Sequence, residues 1–143
     1  INTQLRPEGS MPLDVVLKDS GVPWFSEPGG NRVILFVPST LTIGYVVNAV
    51  TPDAEPFGIA LDGDEDVWFT ERAANRLAWF DNLRRIPFEY PLPEPASEPT
   101  DLAVDADDCA WYTAPGINAI GRFCQPPILP SYLPLVTKGA AGW

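Results

Sequence analysis

Carboxylates and guanidinium groups at repeated spacing carry the candidate chemistry of this chain. Asp62-Gly63-Asp64-Glu65-Asp66 and Asp105-Ala106-Asp107-Asp108 are oxygen-rich runs of the type that bind hard cations. Asp62, Asp64 and Asp66 are the candidate ligands for Ca2+ or Mg2+, although the spaced Glu that closes an EF-hand loop is missing. The same residues have a plainer role, because Asp and Gly are good turn formers. Glu27, Arg32, Glu71, Arg72 and Arg76 form a second set, acids and cations gathered around short loops, and are the candidate binding residues. Cys109 and Cys124 are the two cysteines of the chain, open to a disulfide or to two packed thiols.

Composition removes several chemistries. The 143 residues include 9 Lys and Arg, 19 Asp and Glu, and no His, for a net charge of −10. Without His there is no imidazole base, no Ser-His-Asp triad and no His-ligated zinc. The negative charge argues against DNA or RNA as a partner. No run of about 18 apolar residues is present, so no membrane span is expected. Apolar residues make up 45% of the chain, enough for a packed core rather than disorder. The 17 Pro and 11 Gly disfavour long helices and favour short strands joined by turns. The opening Ile1-Asn2-Thr3-Gln4 lacks an initiator Met and a signal peptide, and reads as a processed or truncated end.

What positions these residues is an internal repeat. Trp24, Trp68 and Trp111 lie 44 and 43 residues apart, each followed by a second aromatic residue. Pro12, Pro56 and Pro99 keep that spacing, as do Asn31, Asn75 and Asn118. Each unit reads as four short strands, A to D. In the second unit these are Gly58 to Leu61, Val67 to Glu71, Arg76 to Phe80 and Phe88 to Leu92. In the first they are Asp14 to Leu17, Pro23 to Glu27, Arg32 to Phe36 and Ile43 to Val50. The third gives Asp101 to Val104, Ala110 to Thr113, Ile120 to Phe123 and Tyr132 to Val136. Strands B and C are apolar on both faces, so neighbouring sheets should cover both. A repeated four-stranded unit of this length points to an all-β β-propeller with three antiparallel blades, a β-sandwich being the alternative. The boundaries expected are 1–10 for a leading outer D-type strand, then 11–54, 55–97 and 98–143 for the blades.

That reading makes specific claims about the site residues. The A–B turns hold the acidic runs, which favours turn chemistry over metal binding. Asp66 should face Asp81, a repulsive pair unless solvated or bridged by a cation. The Asn closing each B–C loop suits a left-handed backbone. The B–C and D–A loops should share one face, where propellers commonly carry ligands, and that face holds the five binding candidates. Hairpin partners in the third unit sum to 233, which places Cys109 opposite Cys124. A directly opposed pair is within disulfide reach, and a disulfide favours an oxidising compartment, extracellular or periplasmic.

The second unit also resembles a known family. Pro56-Phe57-Gly58-Ile59-Ala60-Leu61-Asp62, Val67-Trp68-Phe69-Thr70-Glu71, Asn75-Arg76-Leu77 and Glu89-Tyr90-Pro91-Leu92-Pro93 are similar to a blade of the streptogramin B (virginiamycin B) lyases and of the wider NHL-type propellers. The likeness runs from residue 11 to about 125. In that family, a ring-shaped propeller binds a cyclic peptide antibiotic over its channel. A His base, with magnesium near Glu residues, assists an elimination. Here Glu27 and Glu71 occupy the motif's Glu position and Ala114 the third, and no position can supply the His. The resemblance therefore implies the fold without the base.

Three blades make an incomplete ring, since closed propellers have four to eight. The expected partners are copies of the chain or further blades, with no nucleic acid and no membrane span. The expected function is a non-enzymatic binding or structural module. The alternative is a fragment of a lyase-like enzyme whose catalytic blade lies elsewhere.

Overall fold

A computed structural model describes residues 8–126. Its first sheet, blade 1, is a meander of β1 (Val15–Leu17), β2 (Pro23–Glu27), β3 (Arg32–Val37) and β4 (Thr42–Asn48). Blade 2 repeats it with β5 (Pro56–Leu61), β6 (Val67–Glu71), β7 (Arg76–Asp81) and β8 (Ile86–Pro91). Blade 3 shows β9 (Leu102–Val104), β10 (Cys109–Ala114) and β11 (Ala119–Cys124). Its fourth strand, expected at Tyr132 to Val136, lies outside the described residues, as does most of the expected leading strand at 1–10. All pairings are antiparallel, and the inner strands β1, β5 and β9 lie beside one another. The chain is all-β, with sheets set side by side as propeller blades.

Residue chemistry explains the meander. The A–B turns close through Gly21 N–H to Lys18 O at 2.8 Å, Glu65 N–H to Asp62 O at 3.0 Å and Asp108 N–H to Asp105 O at 3.0 Å. The fourth residue of each turn has a left-handed backbone: φ is 80° at Gly21, 59° at Glu65 and 57° at Asp108. The B–C loops end on Asn31, Asn75 and Asn118 at φ 51°, 58° and 53°, a conformation Asn tolerates. Each of the first two Asn also ties its loop to the D–A linker. Asn31 donates to Thr51 O at 3.0 Å and accepts from Ala54 N–H at 2.8 Å. Asn75 does the same with Glu94 O and Ser97 N–H, at 2.9 and 2.8 Å. The B–C and D–A loops therefore share one face.

Burial alternates residue by residue along the outer strand β4 but not along the middle strands. In β6 every side chain is buried, because blades cover both faces. Val67 and Phe69 pack towards blade 1 with Trp24, Val33, Ile59 and Phe80. Trp68 packs towards blade 3 with Trp79, Tyr90, Leu102 and Ala110. Trp24 and Trp68 are thus core between blades, as edge-on and stacked ring contacts show: Trp24 against Phe80 at 6.3 Å and Trp68 against Tyr90 at 6.3 Å, whereas Trp111 of blade 3 is partly exposed. Cys109 and Cys124 are opposite each other in the β10–β11 ladder, with Cα atoms 4.2 Å apart, and form a disulfide.

Candidate functional site

The five binding candidates resolve into three arrangements on the B–C loop side. Glu27 ends β2 directly opposite Arg32, which opens β3. Glu27 is fully buried, and Arg32 Nε donates to its Oε2, while Oε1 has no hydrogen-bond partner. Blade 2 places Glu71 opposite Arg76 in the same register, yet the contacts differ. Arg76 Nη1 reaches Glu89 Oε2 on β8 at 3.2 Å. Thr51, in the linker from blade 1, donates to Glu89 through its N–H at 2.8 Å and its hydroxyl at 2.5 Å. Glu71 is fully buried, and neither of its oxygens has a partner while it is charged. In blade 3 the same two positions are Ala114 and Ala119, so no ionic pair forms.

Electrostatics decides what blade 2 can do. Burial, and then the charge on Glu89, push the Glu71 carboxyl up to about 9. Burial also works against ionised Glu89, but the Thr51 hydroxyl and N–H and the proton of Glu71 outweigh it and hold Glu89 below its ordinary value. At neutral pH the centre is one acid and one carboxylate sharing a proton, with Glu71 as donor. Glu71 is then neither a general base nor an orphaned charge. Arg72 turns away from this pair and lies over the Phe57 ring, 5.2 Å from its centroid. With Glu55, Asn75, Ala96 and Glu98 it lines an open cavity of about 370 Å3.

The acidic turn is built differently from a metal loop. Asp62 Oδ1 accepts the N–H groups of Asp64 and Asp66 at 3.2 and 2.9 Å. Its Oδ2 accepts the indole N–H groups of Trp68 and Trp79 at 3.1 and 3.0 Å. Asp66 accepts the Asn82 N–H at 2.8 Å, and Asp81 pairs with Arg84 at 2.7 Å. The Asp66–Asp81 repulsion is thus met by separate partners, although burial and the neighbouring aspartates raise Asp66 to about 6. Among the described residues no three carboxylates, imidazoles or thiols gather as a metal would require. The Glu residues to which the resemblance assigns magnesium do not fit it among the described residues, because Glu27 is paired with Arg32 and Glu71 stands with Glu89 beside Arg76.

Thr51 and Glu89 were absent from the sequence reading of the site. Glu89 carried a signal, as the one charged residue between Phe88 and Tyr90 on an otherwise apolar outer strand. Thr51 carried none, because its role depends on where the linker crosses β8.

A model of the virginiamycin B lyase family matches residues 2–141. The chain belongs to that family. Among solved structures it is similar to a catalytically inactive histidine-to-alanine virginiamycin B lyase from Staphylococcus aureus with quinupristin. That likeness has 28% identity and a TM-score of 0.77, covering 85% of this chain and 41% of that one. The selenomethionine-substituted lyase from the same organism matches at 24% identity and a TM-score of 0.72, covering 86% and 44%. The chain thus spans less than half the length of these lyases. The extracellular domain of a one-component system from B. thetaiotaomicron shares the fold at 14% identity and a TM-score of 0.60, over 82% of this chain and 16% of that one. No curated protein matches the sequence. Among the described residues no helix is long and apolar enough to cross a membrane.

Proposed function

We propose that these virginiamycin B lyase-family blades serve a binding or structural role, within a propeller completed by further blades or by copies of the chain, and supply no catalytic base. The state of the acidic centre carries this reading. Glu71 is protonated against Glu89 at neutral pH, and the chain has no His. An elimination needs a group that accepts a proton at working pH; Glu71 already holds one, and the neighbouring Glu89 carboxylate is held by Arg76 and by the Thr51 hydroxyl and N–H. The loss of one histidine leaves the similar lyase inactive, which supports the same conclusion. Ligands would meet the open face around Arg72, Glu55 and Glu98. The disulfide fits an oxidising setting, extracellular or periplasmic.

Incubation of the 143-residue protein with quinupristin, followed by mass spectrometry, tests the reading. The cyclic peptide should stay closed. Ring opening above the rate without protein would overturn it. A second reading is favoured by the family match and by the 28% identity to the quinupristin-bound lyase. In it, these blades form part of an eliminating enzyme whose base comes from blades outside these residues. Ring opening by a longer chain, but not by this one, would select it.

A further inference from the structure

The three A–B turns share one backbone, but only two of them carry the acid that their N–H groups hold. In blade 2, Asp62 Oδ1 accepts the N–H groups of Asp64 and Asp66 at 3.2 and 2.9 Å, and Oδ2 accepts the Trp68 indole at 3.1 Å. Asp105 repeats this in blade 3. Its Oδ1 accepts the N–H groups of Asp107 and Cys109 at 3.0 and 3.1 Å, and its Oδ2 the Trp111 indole at 2.8 Å. Each carboxylate therefore sits on the same three donors, two from the turn and one indole. Further donors differ: Trp79 Nε1 in blade 2 and Arg122 in blade 3.

Blade 1 has Lys18 in place of these acids. Its turn nevertheless closes in the same way. Lys18 N–H donates to Val22 O at 3.0 Å, as Asp62 N–H does to Asp66 O at 3.1 Å and Asp105 N–H to Cys109 O at 3.0 Å. Trp24 stands opposite Val16 in the ladder, as Trp68 stands opposite Ala60 and Trp111 opposite Ala103. The donors are thus placed by the backbone and not by the acid. In blade 1 they are Ser20 N–H, Val22 N–H and Trp24 Nε1, and Lys18 offers them no oxygen. Trp24 is fully buried between blades 1 and 2, and its Nε1 has no hydrogen-bond partner. Leu35 lies opposite Trp24, where Trp79 and Arg122 face the other two indoles, and adds no donor.

A set of donors like this favours an anion. Backbone N–H groups that converge in a turn with a left-handed residue form a concave nest of positive potential, and Gly21 holds that residue here at φ 80°. An acceptor that reaches the buried indole forms a bond and removes the cost of an unpaired donor at once. The acids of blades 2 and 3 show the matching shape: two oxygens in one plane, one on the turn and one on the indole. That is a carboxylate. Lys18 adds the counter-charge. Its side chain is partly exposed, and its ammonium rests on Glu65 Oε2 at 3.0 Å, a surface pair that opens at little cost. Glu65 is the acid that competes with a ligand for Lys18.

We propose that the A–B turn of blade 1 is a binding site for a carboxylate from outside the chain, with Ser20 and Val22 N–H on one oxygen, Trp24 Nε1 on the other and Lys18 balancing the charge. The site lies at the end of the strands away from the Arg72 cavity, and it does not depend on the blades being non-catalytic. Trp24 Nε1 is buried, so the ligand enters as the Lys18 stem turns outward. The test uses the full 143-residue protein, labelled with nitrogen-15 at tryptophan and titrated with acetate against chloride at constant ionic strength. The Trp24 indole signal should move downfield and saturate, with a dissociation constant on the order of 1–10 mM, while the other indoles stay in place. Lys18→Asp restores the acid of blades 2 and 3. Its Trp24 signal should stand downfield without acetate and no longer respond. Lys18→Met, which keeps the stem and drops the charge, should bind acetate about tenfold more weakly. A capped peptide with one Glu, used in place of acetate, separates two sources of the ligand. Tighter binding than acetate assigns the site to an acidic segment of a partner protein, and weaker binding assigns it to a free carboxylate. A Trp24 signal that acetate leaves unmoved, or moves no more than chloride does, would overturn the proposal. So would an undiminished response in Lys18→Asp. The titration of the unaltered protein decides the matter even where a variant fails to fold.

Discussion

Blades 1 and 2 share one backbone plan and differ in how they treat their buried polar groups. Blade 2 spends Asp62 on two turn N–H groups and two indoles. Blade 1 has Lys18 at that position, which pairs with Glu65 of blade 2 at 3.0 Å. Trp24 Nε1 is consequently buried without a partner. At the other end of the blade the contrast reverses. Blade 1 closes Glu27 with Arg32 as an ion pair, whereas blade 2 leaves Glu71 to hold a proton against Glu89. A repeat therefore fixes where a buried polar group sits, and its neighbours decide whether that group is charged, neutral or unpaired.

The largest test of this contrast is Asp62→Ala against Lys18→Ala. The first strips acceptors from two buried indoles and a turn, and should cost roughly 3–5 kcal/mol. The second loses a partly exposed surface ion pair and should lower the midpoint far less. Equal midpoints in urea would break the comparison.

Glu27→Gln against Glu71→Gln comes next. Replacing Glu27 leaves Arg32 without its buried counter-charge, for a loss of about 2 kcal/mol. Glu71→Gln should behave oppositely above neutral pH. The folded-state value near 9 lies above the ordinary 4.5. As pH rises past 4.5, the unfolded chain releases this proton first, so the stabilisation from it declines steadily until the folded group also ionises near 9. The unaltered protein should therefore lose Tm between pH 5 and 9. The Gln variant should show a flatter profile and a Tm higher by roughly 2–6 °C at pH 8. Parallel pH profiles would remove the proton from Glu71.

The smallest effect is expected from Lys18→Asn, which offers Trp24 Nε1 a neutral acceptor at the cost of the Lys18–Glu65 pair. A net gain of up to about 1 kcal/mol should appear in the urea midpoint. A loss larger than that would mean the ion pair outweighs the unpaired indole.

Much of this was legible in the residues themselves. The Trp spacing located the strands, and the hairpin sums placed Cys109 opposite Cys124 as the ladder has them. Strand ends were less legible. β5 begins at Pro56 rather than Gly58, because an irregularity between Pro56 and Ile59 extends the pairing to Glu71. The acidic turns could be recognised as turns, but not as indole acceptors, since Asp62 and Trp79 are brought together only by the ladder. The place of Glu71 at the end of strand B, opposite Arg76, was legible. Its proton was not, because it depends on Glu89 from β8 and Thr51 from the linker, contacts that no spacing within one unit reveals.

The ionisation state of Glu71 separates a neutral structural acid from a charged carboxylate in the centre of blade 2. Carbon-13 NMR of glutamate-labelled protein, assigned with the Glu71→Gln variant and followed from pH 4 to 10, reads it directly. The Glu71 carboxyl should titrate near 9, with Glu89 ionised throughout neutral pH. A Glu71 resonance that titrates near the ordinary 4.5 would contradict the account, and would leave a charged carboxylate in the centre of blade 2 that is free to act as a base or a ligand.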